Sequence, residues 1–165
     1  KGGEAVKMLE IQDPAINYAW SPNGGKIAFR SGEAYWVMNA DGTDLKVLDE
    51  MKERSGIGSS LPPVWSPDSK LIIVDTYGRP KAGGSVLDGS NIFIINTDNG
   101  EKRTLFLDGS AGNLEPSWSP DGRFVTFVSN RSGKPEIWII QADGSSALQI
   151  TNLEKYLRAP YWLKP

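Results

Sequence analysis

The sequence predicts an all-β fold, a partial β-propeller whose blades each contain four antiparallel strands. A short phrase recurs at Trp20–Gly24, Trp65–Ser69 and Trp118–Gly122, and a degenerate copy stands at Tyr161–Pro165. The tryptophans of these four copies are separated by 45, 53 and 44 residues, and a period in the mid-forties is typical of a four-stranded blade. The chain also contains 18 Gly and 11 Pro, a composition that suits short strands joined by tight turns.

The third repeat shows the order of strands and turns most clearly. Pro120 presets its own φ and Gly122 is free to adopt a positive φ, so a turn is predicted directly after Trp118. The segments that follow are rich in β-branched and aromatic residues, as strands are. The predicted elements are a strand at Ser117–Ser119, a turn at Pro120–Arg123, a strand at Phe124–Val128, a hairpin at Asn130–Lys134, a strand at Glu136–Ile140, a turn at Ala142–Ser145 and an outer strand at Ala147–Thr151.

The first two repeats follow the same order, and their central strands are nearly continuous apolar runs, as expected of sheets buried on both faces. The second repeat departs from the pattern in two places. Ser69 replaces the turn glycine, and the hairpin between the second and third strands is stretched from Thr76 to Ser90. The predicted strands are Lys26–Phe29, Ala34–Met38 and Leu45–Leu48 in the first repeat, and Leu71–Val74, Asn91–Ile95 and Arg103–Leu107 in the second.

The repeats predict one propeller segment, residues 1–165, with blades at about 17–50, 62–108 and 115–152. Residues 3–10 resemble the outer strand of a preceding blade, and residues 159–163 resemble the inner strand of a following blade. Three blades do not close a ring, since known propellers have about four to eight. An open arc would leave apolar faces and strand edges uncovered. We therefore expect half of a larger propeller, completed by the rest of its polypeptide or by another copy of itself.

The motifs of the third repeat carry a family resemblance. The WSPDG turn at Trp118–Gly122, the SNRSG hairpin at Ser129–Gly133, the IWII strand at Ile137–Ile140 and the ADGS turn at Ala142–Ser145 resemble TolB-type, WD-like propeller repeats. The resemblance covers nearly the whole chain, and three copies in series make it specific. It implies a non-enzymatic bacterial scaffold that binds a protein partner, in a periplasmic or extracellular setting.

Two other functions share these repeats and stay open at this point. One is the gating propeller of a prolyl-oligopeptidase-like hydrolase, whose catalytic domain would lie outside this chain. The other is part of a propeller polysaccharide lyase or glycosidase, with carboxylates facing the channel.

The composition excludes several kinds of site within this chain. It contains no His and no Cys, which excludes a Ser-His-Asp triad, a thiolate nucleophile and a zinc site with these ligands. No G-x-S-x-G motif is present. The net charge of -2 predicts no broad basic surface for nucleic acid, and no apolar run approaches the ~20 residues that span a bilayer. We therefore expect no cofactor, no metal and no catalytic residue.

The repeated residues are predicted to be structural. Trp20, Trp65 and Trp118 are expected to wedge between blades, and the repeated Asp-Gly pairs are foremost tight-turn signals. The candidate site is instead the stretched hairpin, because an insertion in a repeat maps to a loop on one face, which is often the binding face. Tyrosine and arginine are enriched at binding hot spots. The predicted partner-binding residues are Tyr77, Arg79, Lys81 and Asp88, and the alternative is that this stretch is only a flexible, Gly-rich connector.

Overall fold

A computed structural model describes residues 13–50, 61–77, 87, 89–106, 111–153 and 160–163. Over these residues the chain forms three four-stranded sheets, in which neighbouring strands are antiparallel and consecutive in sequence. The strands are β1 (Ala15–Trp20), β2 (Lys26–Ser31), β3 (Ala34–Asn39), β4 (Lys46–Glu50), β5 (Val64–Trp65), β6 (Leu71–Thr76), β7 (Asn91–Asn96), β8 (Lys102–Thr104), β9 (Asn113–Trp118), β10 (Phe124–Ser129), β11 (Glu136–Gln141) and β12 (Leu148–Gln149).

The prediction of propeller blades is confirmed. Strands β1–β4, β5–β8 and β9–β12 form a first, a second and a third blade, one for each predicted repeat. The second strand of each blade is longer than predicted and continues to Ser31, Thr76 or Ser129, whereas β12 is limited to two residues. Residues 3–10 lie outside the described part of the chain. Residues 160–163, the described part of the predicted following strand, have no strand assignment.

One hydrogen-bonding pattern builds the Ser-Pro turn of every blade. In the third blade, the Ser119 hydroxyl accepts from the Phe124 N–H at 2.9 Å and donates to Asp121 Oδ1 at 2.6 Å. Ser21 and Ser66 make the same pair of contacts within their own turns. The repeated serine therefore closes the turn that joins the first strand to the second, which is why the phrase recurs.

In the Ser-Pro turn of the second blade, Ser69 takes the position that glycine occupies in the other two turns. It adopts a φ of +62°, the left-handed region that glycine occupies in the other two turns, at a cost of about 1 to 2 kcal/mol. Its hydroxyl oxygen accepts a hydrogen bond from the Asn23 N–H of the first blade, at 3.1 Å. The departure from the repeat thus adds a contact between two blades.

Most of the core lies in the seams between neighbouring blades, and a smaller buried cluster of Ile27, Phe29 and Met38 belongs to the first blade alone. The first seam joins blades one and two and buries Tyr35 and Val37 with Ile72 and Ile95. The second seam joins blades two and three and buries Ile73 and Ile94 with side chains of the third blade, including Val125 and Phe127. The sheet faces that meet in these two seams are thus removed from water, which stabilises the fold by roughly 25 cal/mol per Å² of apolar surface.

Two tryptophan indoles donate a hydrogen bond to the main chain of the preceding repeat. The Trp65 indole N–H donates to the Ala19 carbonyl at 2.9 Å, and Ala19 directly precedes the tryptophan of the first blade. Trp162 makes the equivalent bond to the Ser117 carbonyl, at 3.3 Å. We call this bond the seam hydrogen bond. Trp118 is as deeply buried as Trp65, yet no acceptor for its indole N–H lies among the described residues.

The prediction that these tryptophans wedge between blades is confirmed for Trp65 and Trp118, which are 6% and 7% exposed. Trp20 differs, since 53% of it is exposed. The reason is positional, because no blade precedes the first one among the described residues.

Substituting Trp65 and Trp118 tests the seam hydrogen bond with a matched pair. Trp65→Phe leaves the Ala19 carbonyl without its donor, whereas Trp118→Phe removes an N–H that has no partner among the described residues. Both variants lose similar volume, so we expect Trp65→Phe to lower the free energy of unfolding by about 1 to 2 kcal/mol more than Trp118→Phe. Urea denaturation measures this difference, and equal losses would contradict the role of the bond.

Replacing Asp121 tests the electrostatics of the Ser-Pro turn. The hydroxyl of Ser119, followed by the N–H and guanidinium of Arg123, lowers the pKa of Asp121 from 3.8 to about 2. The ionised carboxylate therefore stabilises the fold above about pH 4, and that contribution is lost as the pH falls towards 2.

We expect Asp121→Asn to reduce the pH dependence of unfolding between pH 4 and pH 2, to lower stability modestly at pH 7 and to leave stability near pH 2 almost unchanged. Asn23 makes the same turn contacts in the first blade, so the amide fits the position. Urea denaturation midpoints measured between pH 4 and pH 2 test this prediction. If the midpoint of Asp121→Asn changes with pH as steeply as that of the parent chain, Asp121 is not the source of the pH dependence.

Candidate functional site

The antiparallel order of the strands gives the arc two different ends. The Ser-Pro turns lie at one end, which we call the turn end. The connections between the second and third strands lie at the other, which we call the hairpin end; these are residues 31–34, 76–91 and 129–136. The described ends of the stretched hairpin, Thr76 and Asn91, therefore lie at the hairpin end.

The described part of the predicted binding site is its first residue. Tyr77 directly follows β6 and is half-buried. Arg79, Lys81 and Asp88 lie outside the described residues, so their role stays a prediction. The hairpin re-enters the described chain at Leu87, which is 2% exposed and accepts a hydrogen bond from the Ser90 N–H at 2.9 Å.

The returning arm of the hairpin is bound to the third blade. The Asn113 N–H donates to the Ser90 carbonyl at 3.1 Å, which connects β9 to the second blade. Gly112 makes the approach possible, since a Cβ atom there would lie 1.8 Å from the Leu87 carbonyl oxygen. The Gly112 N–H also donates to Asn130 Oδ1 at 2.8 Å. The base of the hairpin is therefore held by two blades.

Arg131 fills the second seam at the same end. Its guanidinium carbon lies 4.6 Å from the ring centroid of Phe106, 5.4 Å from that of Phe127 and 5.1 Å from that of Trp138. Its Nη2 donates to Asn113 Oδ1 at 3.0 Å. The arginine of the SNRSG hairpin is thus a packing residue that joins an aromatic of the second blade to two of the third.

A buried carboxylate near the hairpin end was missed by the reasoning from sequence. Asp75 is 2% exposed on β6, and its Oδ2 accepts a hydrogen bond from the Glu115 N–H at 2.8 Å. Glu115 adopts a φ of +56°, which directs this N–H across the seam. Burial, and then the charge of Asp75, raise the pKa of the Tyr35 phenol on the first blade. Asp75 interrupts an apolar run, and that interruption is the signal that could have revealed it.

A cavity of about 520 Å³ lies at the turn end, where the inner strands of consecutive blades meet. Its lining includes Trp65, Trp118, Tyr161 and Trp162, together with prolines from three successive Ser-Pro turns. Each of these residues looked structural when taken alone. They line one aromatic cavity because successive repeats are brought together along a curved arc, and the sequence of a single repeat does not show that curvature.

The described residues contain no group of three or more Asp, Glu, His or Cys placed to hold a metal ion. In the same part of the chain, no helix is long and apolar enough to cross a membrane.

Comparison with known sequences identifies the repeat. The profile of the TolB β-propeller domain matches residues 1–164. The chain belongs to the TolB β-propeller family. One relative is the Tol-Pal system protein TolB of Anaeromyxobacter dehalogenans, which is 33% identical over 140 residues, 82% of this chain and 28% of that protein. An uncharacterised protein of Agrobacterium fabrum is 38% identical over 88 residues, 53% of this chain and 27% of that protein. This TolB-family chain thus spans about a quarter of the length of these relatives.

Solved structures show the same architecture. The structure of a putative TolB from Agrobacterium tumefaciens superposes with a TM-score of 0.60 at 26% identity, covering 83% of this TolB-family chain and 46% of that one. An oligogalacturonate lyase from Vibrio parahaemolyticus gives 0.67 at 14% identity, covering 88% and 42%. A puromycin-hydrolysing peptidase of Mycobacterium tuberculosis gives 0.63 at 18%, covering 85% and 24%. At the identities of the last two, the likeness shows the fold alone.

Gly112→Ala tests how the hairpin base is held. The added methyl group would collide with the Leu87 carbonyl, so either the arm or the inner strand β9 must move. We expect a loss of about 2 to 4 kcal/mol in the free energy of unfolding, in the range of strongly destabilising substitutions. Gly133→Ala is the control for a generic glycine effect, because a Cβ there meets no atom within 4 Å although its φ is +96°. Equal losses in the two variants would refute the close approach.

Proposed function

We propose that this chain is a non-enzymatic TolB-like scaffold segment that binds a protein partner at the hairpin end. The observation that carries the proposal is the way the enlarged hairpin is built. It begins at Tyr77, and its returning arm is tied to the third blade through Ser90, Gly112 and Asn113. A loop held at its base presents side chains at a lower entropic cost on binding than a free loop does.

The chemistry of the proposed surface suits a protein ligand. Tyr77, Arg79, Lys81 and Asp88 combine an aromatic ring, two cations and one carboxylate within a single hairpin. Tyrosine and arginine supply large contact area and directional hydrogen bonds, and they are enriched among residues that dominate binding energy. The proposed contact is therefore made by an aromatic and charged patch rather than by an enzymatic site.

The names of the relatives suggest where to look for the partner. Two relatives, from Anaeromyxobacter dehalogenans and Syntrophus aciditrophicus, are named as TolB proteins of a Tol-Pal system. We propose that the partner is a protein of such a system, and that the arc binds it as part of a larger propeller.

Calorimetric titration of the chain with the Pal protein of Anaeromyxobacter dehalogenans tests the proposal. We expect Tyr77→Ala and Arg79→Ala each to weaken binding by about tenfold or more, as truncation of a hot-spot residue does. Ser132→Ala is the matched control, since Ser132 is exposed on the corresponding hairpin of the third blade. Absence of binding to Pal would reject this partner. Unchanged affinity in both hairpin variants would reject this surface.

A further inference from the structure

The two seams are closed differently at the turn end. In the first seam, the seam hydrogen bond of Trp65 lies beside another one, which the Asn23 N–H donates to the Ser69 hydroxyl at 3.1 Å. Further out, the Lys46 ammonium donates to the main-chain carbonyl of Asp98 at 2.9 Å. Hydrogen bonds therefore join the first and second blades from their inner strands to their outer turns.

The corresponding inner contacts are missing from the described part of the second seam. Trp118 is buried, and its indole N–H has no acceptor among the described residues. Gly122 stands where the second blade has Ser69, so the third blade offers no hydroxyl to the N–H of Asp68, the counterpart of Asn23. The inner part of the second seam thus lacks both hydrogen bonds that close the first.

Two cavities lie at this gap. A cavity of about 220 Å³ is lined by residues of the second and third blades, including Asp68, Arg103 and Gly122. It shares Pro67 and Trp118 with the cavity of about 520 Å³ at the turn end. The missing hydrogen bonds therefore coincide with incomplete packing between the two blades.

The hairpin end of the second seam is closed, in contrast to its turn end. The Asn113 N–H donates to the Ser90 carbonyl, and the Glu115 N–H donates to the Asp75 carboxylate. The guanidinium of Arg131 packs against an aromatic ring of the second blade at the same end. The third blade is therefore fixed to the second at one end only.

One arginine bridges the turn end of the second seam. Arg103 Nη2 donates to the Ala142 carbonyl in the turn between β11 and β12, and no other hydrogen bond between described residues crosses the seam at this end. Lys46 is the counterpart of Arg103 in the first blade, because Lys46 pairs with Val37 and Arg103 pairs with Ile94 at the same point of their blades. The first seam has further hydrogen bonds beside its cation, whereas the second depends on Arg103.

We infer that the third blade opens away from the second at the turn end, about a hinge at the hairpin end, and that the Arg103–Ala142 hydrogen bond is the latch that holds it closed. Closing buries the Trp118 N–H without an acceptor, whereas opening exposes this donor to water, which lowers the free-energy cost of opening. The apolar contacts of the seam oppose opening, so the open state is a minor population. In the open state the two cavities form one cleft.

Single thiols in the full chain report this opening, because the chain contains no Cys. Val125 belongs to the core of the second seam near the turn end, Ile92 to the same core at the hairpin end, and Ile72 to the core of the first seam near the turn end. All three side chains are inaccessible to solvent. The variants to be compared are Val125→Cys, Ile92→Cys and Ile72→Cys.

The rate of labelling by an aromatic disulfide, divided by the rate for the same thiol in the unfolded chain, gives an opening constant for each variant. Urea denaturation of the same variant gives its global unfolding constant. We expect the opening constant of Val125→Cys to exceed its unfolding constant at least about tenfold and to change little in dilute urea. Ile92→Cys and Ile72→Cys should label only as fast as global unfolding allows.

Removing the latch tests the role of Arg103. Arg103→Met keeps an apolar stem but loses the donor, and we expect it to raise the opening constant of Val125→Cys about fivefold relative to global unfolding. Lys46→Met is the matched control in the first blade. It should leave the opening constant of Ile72→Cys equal to that of global unfolding, because other hydrogen bonds hold the first seam.

Adding the missing hydroxyl tests the gap itself. Gly122→Ser supplies the group that Ser69 supplies in the first seam, and Ser69 adopts a similar positive φ. We expect it to lower the opening constant of Val125→Cys about fivefold relative to global unfolding. Gly24→Ser is the control, because Gly24 has the same φ of +71° as Gly122 and a Cβ there meets no atom within 4 Å. It should leave that ratio unchanged.

Labelling of Val125→Cys that requires global unfolding would overturn the inference. Equal opening constants at Val125 and Ile92 would overturn the hinge, because the seam would then separate along its whole length. An unchanged constant in Arg103→Met would show that Arg103 is not the latch. Circular dichroism confirms that each variant is folded, and Ile140→Cys, which pairs with Val125 and is 2% exposed, reports on the same place if Val125→Cys does not fold.

Discussion

The structure depends on the burial of one sheet face against the next across two seams. The two larger core clusters each draw on two neighbouring blades, because a single twisted sheet exposes both faces. Trp65 stabilises the first seam in two ways. Its ring packs in the seam, and its N–H donates to the Ala19 carbonyl of the neighbouring blade. Ser69 and Arg131 add further contacts across the same two seams.

Local rules were sufficient for the strands and turns and for their order. Proline and glycine mark the turns, and β-branched runs mark the strands, so three blades could be predicted from the spacing of Trp20, Trp65 and Trp118. What local rules could not distinguish is the environment of these residues. Trp20 is half exposed, Trp65 is hydrogen-bonded, and Trp118 is buried with no acceptor in the described part of the chain, although all three stand in the same phrase. The difference arises from neighbours about 45 residues away in the sequence, and local sequence patterns do not identify such neighbours.

The candidate site, too, could be predicted from the sequence only in part. The stretched hairpin is visible in the sequence because it interrupts a repeat, and Tyr77 can be placed at its start. The contact that holds its returning arm could not be predicted, since Gly112 looks like an ordinary connector glycine until the Leu87 carbonyl is seen against it. Asp75 was similarly hidden within an apolar strand. Its partner, the Glu115 N–H, belongs to another blade and depends on an unusual backbone angle.

The arrangement of seams also determines how the arc comes apart. Each blade touches only its immediate neighbours, so the molecule behaves as a one-dimensional array rather than as a single cooperative globule. The middle blade is covered on both faces, and Ile72, Ile73, Ile92 and Ile95 are inaccessible to solvent. The outer blades each have a face that no described blade covers. Opening therefore proceeds from the two ends towards β6 and β7, and the protection of a backbone amide reflects its place in the array more than the composition of its strand.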